Sequence, residues 1–359
     1  MEYEYLIVGQ GITGSILANK LAYYSEKFKI INYNDVNSSS NVAAGVMHPM
    51  ALKRGTLSWR GKEFYEFSNK FYENFDNYNN TKYYKKHSLF RIFNSFDEQN
   101  NWTGKSNDDI YNSILSIQNN NIENINQPFG TGLVKTASRL NVKEFLEFIK
   151  NKYYKNISNN NFQFEEVKMK NKIFLYKGDS FKKIFMCEGI NAILNPMFNY
   201  LPIISNKGEL ITVNSKNLPK YIINSGVFSL PLEGDKFTIG STYNHRDYFS
   251  GPTKEAREEL LKKINKITNL NDIQVLNQDY GFRPTTVDRK PLIGEHPIIK
   301  NLYIINGMGS KAVLMAPLLI KELLENIFNS NNIPINVDIS RFYNKLEVKN
   351  IEYANSLIN

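Results

Sequence analysis

The chain opens with an apolar, β-prone run over residues 3–8 that stops at Gly9. Apolar positions then recur at helical spacing from Ile12 to about Tyr24, and a second strand-like run covers 28–31. Strand, helix and strand within about 35 residues predict a β-α-β unit. Between 58 and 76 the period is again helical, and Phe64, Phe67, Phe71 and Phe75 form an aromatic face suited to core packing. Asn141 and Glu144, ahead of Phe145, Leu146, Phe148 and Ile149, have the form of a capping box and start another helix. A short strand is predicted at 183–187, closed by Glu188-Gly189. From 208 to 242 strand and turn signals alternate: 209–213, 227–232, the turn Glu233-Gly234-Asp235, then 237–240, an antiparallel pattern. A helix over about 254–267, a strand over 301–306 and a helix over about 312–327 complete the series. Pro317 falls in the first turns of that last helix, where a missing N–H is tolerated. Asparagine-rich stretches at 78–80, 119–121 and 159–161 read as surface loops.

Parallel-type units thus lie at both ends and in the middle, with antiparallel material between them. That order predicts a nucleotide-binding domain interrupted twice by a second domain, and 359 residues suffice for two. Hydrophobic residues make up 42% and charged residues 22%, which excludes wholesale disorder. The longest uncharged apolar stretch, between Lys311 and Lys321, is far short of the roughly 20 residues of a membrane span. The N-terminus lacks the basic and apolar regions of a signal peptide, so a cytoplasmic location is expected. One cysteine, Cys187, excludes a disulfide framework and multi-cysteine metal sites. The four histidines, His48, His87, His245 and His296, show no metal-ligand spacing. Lys+Arg 44 against Asp+Glu 35 gives +9, which suits a polyanionic partner. The lysines are dispersed, however, and no basic block forms a nucleic-acid arm.

Gly9-Gln10-Gly11-Ile12-Thr13-Gly14 follows a strand and opens a helix. The first glycine permits a tight turn, the second lets backbone approach a pyrophosphate, and the third allows close helix–strand packing. The helix N-terminus then offers N–H groups and partial positive charge to phosphates. An acidic residue for the ribose is expected at the end of the second strand; Asn32 stands there, with Asp35 as a substitute if the strand end is shifted. Near the other end, Asn306-Gly307-Met308-Gly309-Ser310-Lys311 repeats the strand–glycine–helix logic. A nicotinamide dehydrogenase has no need of that second segment. FAD, which lies extended, uses backbone donors from a second helix N-terminus.

Together with Val42-Ala43-Ala44-Gly45-Val46 and Tyr280-Gly281-Phe282-Arg283-Pro284-Thr285-Thr286, followed by Asp288, Pro291, Ile293 and Gly294, these segments resemble the D-amino-acid oxidase/glycine oxidase family of flavoproteins. The resemblance runs in order along the whole chain. It implies an α/β fold: a Rossmann-like, glutathione-reductase-type FAD-binding domain (1–50, 135–205 and 275–345), a mixed, largely antiparallel substrate domain (51–134 and 206–274), and a C-terminal tail at 346–359. It also implies non-covalent FAD, because no cysteine stands in the C-terminal segment that covalent members use. Asn32, and Ala312 where glycine is common, depart from the family pattern.

By the same resemblance, cofactor contacts fall to Gly9, Gly11, Ile12, Thr13, Gly14, Asn32, Ala43, Ala44, Gly45, Val46, Val167, Gly189, Gly307, Gly309, Ser310, Lys311 and Ala312. Arg283 is the implied clamp for a substrate carboxylate, a role that suits a planar, permanently charged fork; the alternative is a structural pairing with Asp288. Tyr243 stands open between a substrate contact and burial, and His48 between the ring and a loop role. Lys311 stands open between a charge near the reduced flavin and a solvated helix start.

The expected reaction is oxidation of the C–N bond of a small amine or amino acid (glycine, sarcosine or a D-amino acid) by hydride transfer to flavin N5, then imine hydrolysis. The electron acceptor is oxygen or a carrier. Two alternatives stay open: a tRNA wobble-uridine carboxymethylaminomethyl-modifying oxidoreductase, and a flavin-binding protein without catalysis.

Overall fold

The computed structural model describes residues 1–24, 27–33, 38–119, 121–245, 251–268 and 270–358. Asp35 and Asn120, both named above, lie outside these. The chain divides into one unit of Met1–Ala43, Val142–Asn206 and Phe282–Asn359, and another of Ala44–Asn141 and Lys207–Gly281.

The first unit is built on a parallel layer. Glu2–Val8 pairs in parallel with Phe28–Ile31 on one side and Asp179–Met186 on the other, and Leu302–Asn306 adds to the far side of Asp179–Met186. The register aligns Val8 with Ile31 and Met186, and Met186 with Ile304, so the carboxyl ends of four strands lie level. Leu292–Glu295 continues the layer antiparallel, and Lys168–Lys170 and Ile173–Tyr176 turn off its other part. The helix Ile12–Tyr23 packs against both Val142–Lys152 and Ala312–Asn329. Val142–Lys152 buries a stripe of Val142, Phe145, Leu146 and Ile149 at positions i, i+3, i+4 and i+7, whereas residues 12–18 and 313–320 are buried all round. Leu6, Val8, Ile184, Met186, Leu302 and Ile304, alternate residues of adjacent strands, face one shared core, each burial worth about 1.5–3 kcal/mol.

Residues 346–358 are not an appended tail, and Asn359 lies outside the described residues. Val348–Ile358 is a helix of this unit, with Ala354 and Leu357 in the same core. Asn350 Nδ2 donates to Pro196 O (3.0 Å) and Asn199 Oδ1 (2.7 Å). Pro317 is the sixth residue of its helix, within the first turns as expected, yet past the free N–H groups, so it removes a hydrogen bond rather than a spare donor.

The second unit is centred on a nine-stranded sheet that is mixed and largely antiparallel. Ile222–Asn224 runs parallel to Tyr84–Ile92, while Tyr84–Ile92 and Thr131–Leu140, like Ile203–Asn214 and Lys236–Gly240, pair antiparallel. Lys254–Ile267 buries Leu260 and Ile264 against Ile211, Phe237 and Ile239. The aromatic helix spans Gly61–Asn79, later than read from sequence, so Tyr78 and Asn79 belong to its last turn rather than to a loop. Its buried seam is Phe64, Ser68, Tyr72 and Phe75; Phe67 and Phe71 are only half-buried.

Candidate functional site

A cavity of about 680 Å³ opens at the carboxyl ends of the parallel strands of the first unit. This is where open α/β sheets bind ligands, because the strand-to-helix turns there present backbone rather than side chains. Three of those turns form its wall. Gly9 has φ +101°, and a Cβ on it would lie 2.4 Å from Cys187 O. A Cβ on Gly14 would lie 1.9 Å from Gly9 O, which is why helix and turn approach so closely. Gly11 is the N-cap and brings no side chain; the Ile12 N–H donates to Ser40 Oγ at 3.0 Å.

The turn after Asp179–Met186 carries Glu188 and Gly189, and the turn after Leu302–Asn306 carries Gly307 and Gly309. Asn306 ties these two together. Its Nδ2 donates to Gly189 O (2.8 Å), and its Oδ1 accepts from Gly307 N–H (2.8 Å). Gly307 needs its φ of +75°, and a Cβ there would meet Thr286 Cγ2 at 2.7 Å.

Of the residues expected to hold a cofactor, Gly9, Gly11, Ile12, Thr13, Asn32, Gly189, Gly309 and Ala312 line this cavity. Gly14, Gly307, Ser310 and Lys311 flank it along the chain. Lys311 is partly buried at the start of its helix, and burial lowers its ammonium to about 8. Ala43 closes a short helix at the edge of the first unit, whereas Ala44, Gly45 and Val46 belong to the second. There Ala44 O accepts from Arg139 Nε and Val46 pairs with Arg139. Val167 lies off the cavity wall, its side chain in the core and its N–H donating to Phe164 O at 3.2 Å.

Arg283 sits in the strand Gln274–Thr286, where side chains alternate in direction. Its neighbours Phe282 and Pro284 line the nucleotide-sized cavity; Arg283 does not. Its Nη1 donates to Asn206 Oδ1 at 3.4 Å. The structural alternative, Asp288, pairs with Arg341 at 3.1 Å. Tyr243, 63% exposed, and His48, half-buried between two short strands, both lie in the second unit.

Sequence reasoning passed over Ser40, Gln10, Glu188 and Asn306, all on or beside the cavity. Gln10 Nε2 is buried with no hydrogen-bond partner among the described residues. Burial raises the Glu188 carboxyl to about 7, although Asn195 Nδ2, donating at 2.6 Å, pulls the other way. The parallel register was the available signal, since it sets 187–189 beside the first glycine turn.

Residues 152–325 match the family described as DAO: FAD dependent oxidoreductase. Glycine oxidase of Pseudomonas aeruginosa is 28% identical over 140 residues, 38% of this chain and 38% of that protein. The tRNA 5-methylaminomethyl-2-thiouridine biosynthesis bifunctional protein of Idiomarina loihiensis is 28% identical over 136 residues, 36% of this chain and 22% of that one. The matched stretch therefore spans well under half of either relative. The crystal structure of glycine oxidase from Bacillus cereus ATCC 14579 superimposes with a TM-score of 0.77 at 17% identity, covering 92% of this chain and 96% of that one. The matched segment, just under half of the chain, is thus similar to that family of FAD-dependent oxidoreductases. Among the described residues, no helix is long and apolar enough to cross a membrane.

Proposed function

We propose that this protein binds FAD without a covalent link and oxidises the C–N bond of a small amine or amino acid of the glycine, sarcosine or D-amino-acid type. The observation that carries the reading is that Gly11 and Gly309, from opposite ends of the chain, line one cavity. Backbone glycine turns, a helix N-terminus and a neutral Asn32 at the second strand's end suit an extended dinucleotide: Gly9–Thr13 and Ser40 for the pyrophosphate, Asn32 for a ribose hydroxyl, Gly307–Ala312 for the ring end.

When bound, FAD supplies the acceptor for the hydride lost from the substrate carbon beside nitrogen. Arg283 holds the substrate carboxylate in a bidentate fork and so fixes which C–H bond is presented. A neutral amine's lone pair assists that loss, so no protein base is required. The imine, once released, takes up water to give an oxo acid or aldehyde and an amine. A second reading, action on a glycine-like group of a tRNA wobble uridine, is supported by the +9 charge and the stretch shared with the tRNA-biosynthesis protein.

The test is anaerobic mixing of flavin-loaded protein with an amine and amino-acid panel, following flavin bleaching. Arg283→Leu is expected to raise the half-saturating concentration of carboxylate-bearing substrates roughly 10- to 100-fold, the worth of a charged bidentate contact, with FAD retained. Unchanged bleaching at low substrate would sink the clamp. Salt-sensitive tRNA binding, with free amino acids inert, would favour the second reading. A tightly held flavin that nothing in the panel reduces would favour a non-catalytic flavin protein.

A further inference from the structure

Glu188 is a carboxylate on the wall of an anion-binding cavity. The Val8↔Met186 register brings its turn beside the first glycine turn, where a Cβ on Gly9 would lie 3.4 Å from its Cα. It therefore stands beside the turn and helix N-terminus that suit a pyrophosphate. Among the described residues no lysine or arginine pairs with it; its partner is Asn195, whose Nδ2 donates to Oε2 at 2.6 Å. The Asn195 amide is held in that sense because its Oδ1 accepts the Met197 N–H at 2.9 Å. Oε2 thus stays an acceptor, and a proton on Glu188 resides on Oε1.

The cation flanking the cavity at the start of the last helix is Lys311, whose ammonium burial lowers to about 8. The first turn and helix contribute Gln10, Ile12 and Thr13, and the last helix Ala312, all uncharged. The adjacent Cys187 is a buried thiol whose ionisation is pushed further from neutrality, chiefly by burial. The titratable groups on the rest of the wall are Tyr33 from the second strand's end and Lys143, Glu147 and Lys150 from the helix Val142–Lys152; those last three are solvent-exposed. Burial already leaves the Glu188 carboxyl near neutrality.

We propose that Glu188 couples capture of the nucleotide to uptake of one proton, so that the chain holds FAD more tightly on the acid side of neutrality than on the alkaline side. This rests on the FAD reading above. A dinucleotide filling the cavity displaces water from the carboxylate and places phosphate charge beside it, and both effects disfavour the ionised form. The sign follows from linkage. Below the free carboxyl's midpoint the proton is already present and affinity is flat. Above it, each pH unit weakens binding up to tenfold, because the complex must take a proton that the free protein lacks.

The full chain, freed of nucleotide, is titrated with FAD by fluorescence quenching between about pH 6.5 and 8.5, and by calorimetry in buffers of different ionisation enthalpy. The parent is expected to lose about tenfold or more in affinity across that range and to take up close to one proton at its alkaline end. Glu188→Gln, which keeps an acceptor for Asn195, should flatten the profile and bind at least as tightly as the parent at the alkaline end. Parallel profiles for parent and variant, no proton uptake by the parent, or a variant weaker at every pH would each overturn the coupling; the last would make Glu188 an acceptor for an FAD hydroxyl. The calorimetric proton count needs only the parent, so a poorly folding variant does not shield the proposal. A parent that binds no FAD at any pH overturns the cofactor reading and this proposal with it, whereas tight, pH-independent binding overturns only the coupling.

Discussion

Replacing Gly9 with alanine adds one methyl group where the structure has no room for it. The torsion itself is costly: φ +101° lies in territory that residues with a Cβ rarely enter, worth about 1–3 kcal/mol. The new Cβ would also stand 2.4 Å from Cys187 O and 2.9 Å from Cys187 C, the first roughly 1 Å inside an ordinary contact of about 3.5 Å. Both are backbone atoms at a strand end, so relief requires the turn after Glu2–Val8 or the one after Asp179–Met186 to move. Overpacking of this kind costs about a further 1–3 kcal/mol. Gly178→Ala is the matched control. Its φ is +81°, but nothing lies within 4 Å of the added Cβ, so it carries the torsional cost alone. Urea unfolding of nucleotide-free protein should therefore show Gly9→Ala less stable than Gly178→Ala by about 1–3 kcal/mol. FAD titration should show weakened binding for the first and unchanged binding for the second. Equal stabilities, or parent-like FAD affinity in a folded Gly9→Ala protein, would mean that this turn is neither so tight nor the cradle.

Two further outcomes test the first unit. His296 is 1% exposed; its Nδ1 accepts the N–H groups of Ile298 and Ile299, so the proton sits on Nε2 facing Met197 O, and burial lowers its pKa to about 4. The unfolded chain takes up a proton near pH 6.5 and the folded one does not until about 4. Stability should thus fall with pH across that window by about 1.4 kcal/mol per unit, about 3 kcal/mol in all. Urea midpoints for parent and His296→Gln against pH check this, and identical slopes would refute it. Leu357→Ala, in the C-terminal helix, should cost about 2–4 kcal/mol, as for a core leucine; a loss under about 0.5 kcal/mol would return the segment to a tail.

Two helices were legible almost to the residue: Ile12–Tyr23 and Lys254–Ile267 differ from their expected ends by one position at most. Tyr84–Ile92 and Thr131–Leu140 were not read at all. Lys85, Lys86 and Lys135 point out to water, and Ser138 is buried through a bond to Asn69 Oδ1 rather than through apolarity, so alternation is masked at both kinds of position. Val348–Ile358 hides for a related reason. Its buried positions are Asn350, Ala354 and Leu357, of which only one is a large apolar residue.

The site divides along the same line. Gly9, Gly11, Gly14, Gly307 and Gly309 were legible because a tight turn leaves its requirement in the local sequence: at Gly9, Gly14 and Gly307 a Cβ meets the torsion or a neighbouring atom it cannot clear. Glu188 and Asn306 stand beside the legible glycines Gly189 and Gly307, but that their side chains meet the cavity follows only from the register of the parallel strands, and Ser40 has no such neighbour. Asn306 shows why this matters. One side chain joins Gly189, after the third parallel strand, to Gly307, after the fourth, which are 118 positions apart in sequence by subtraction of their numbers. A glycine motif thus reports where backbone approaches a ligand, whereas the groups that set the charge and tautomeric state around that ligand arrive from other strands. The protonation of Glu188 is accordingly a property of the assembled sheet edge, and no reading of residues 187–189 in isolation contains it.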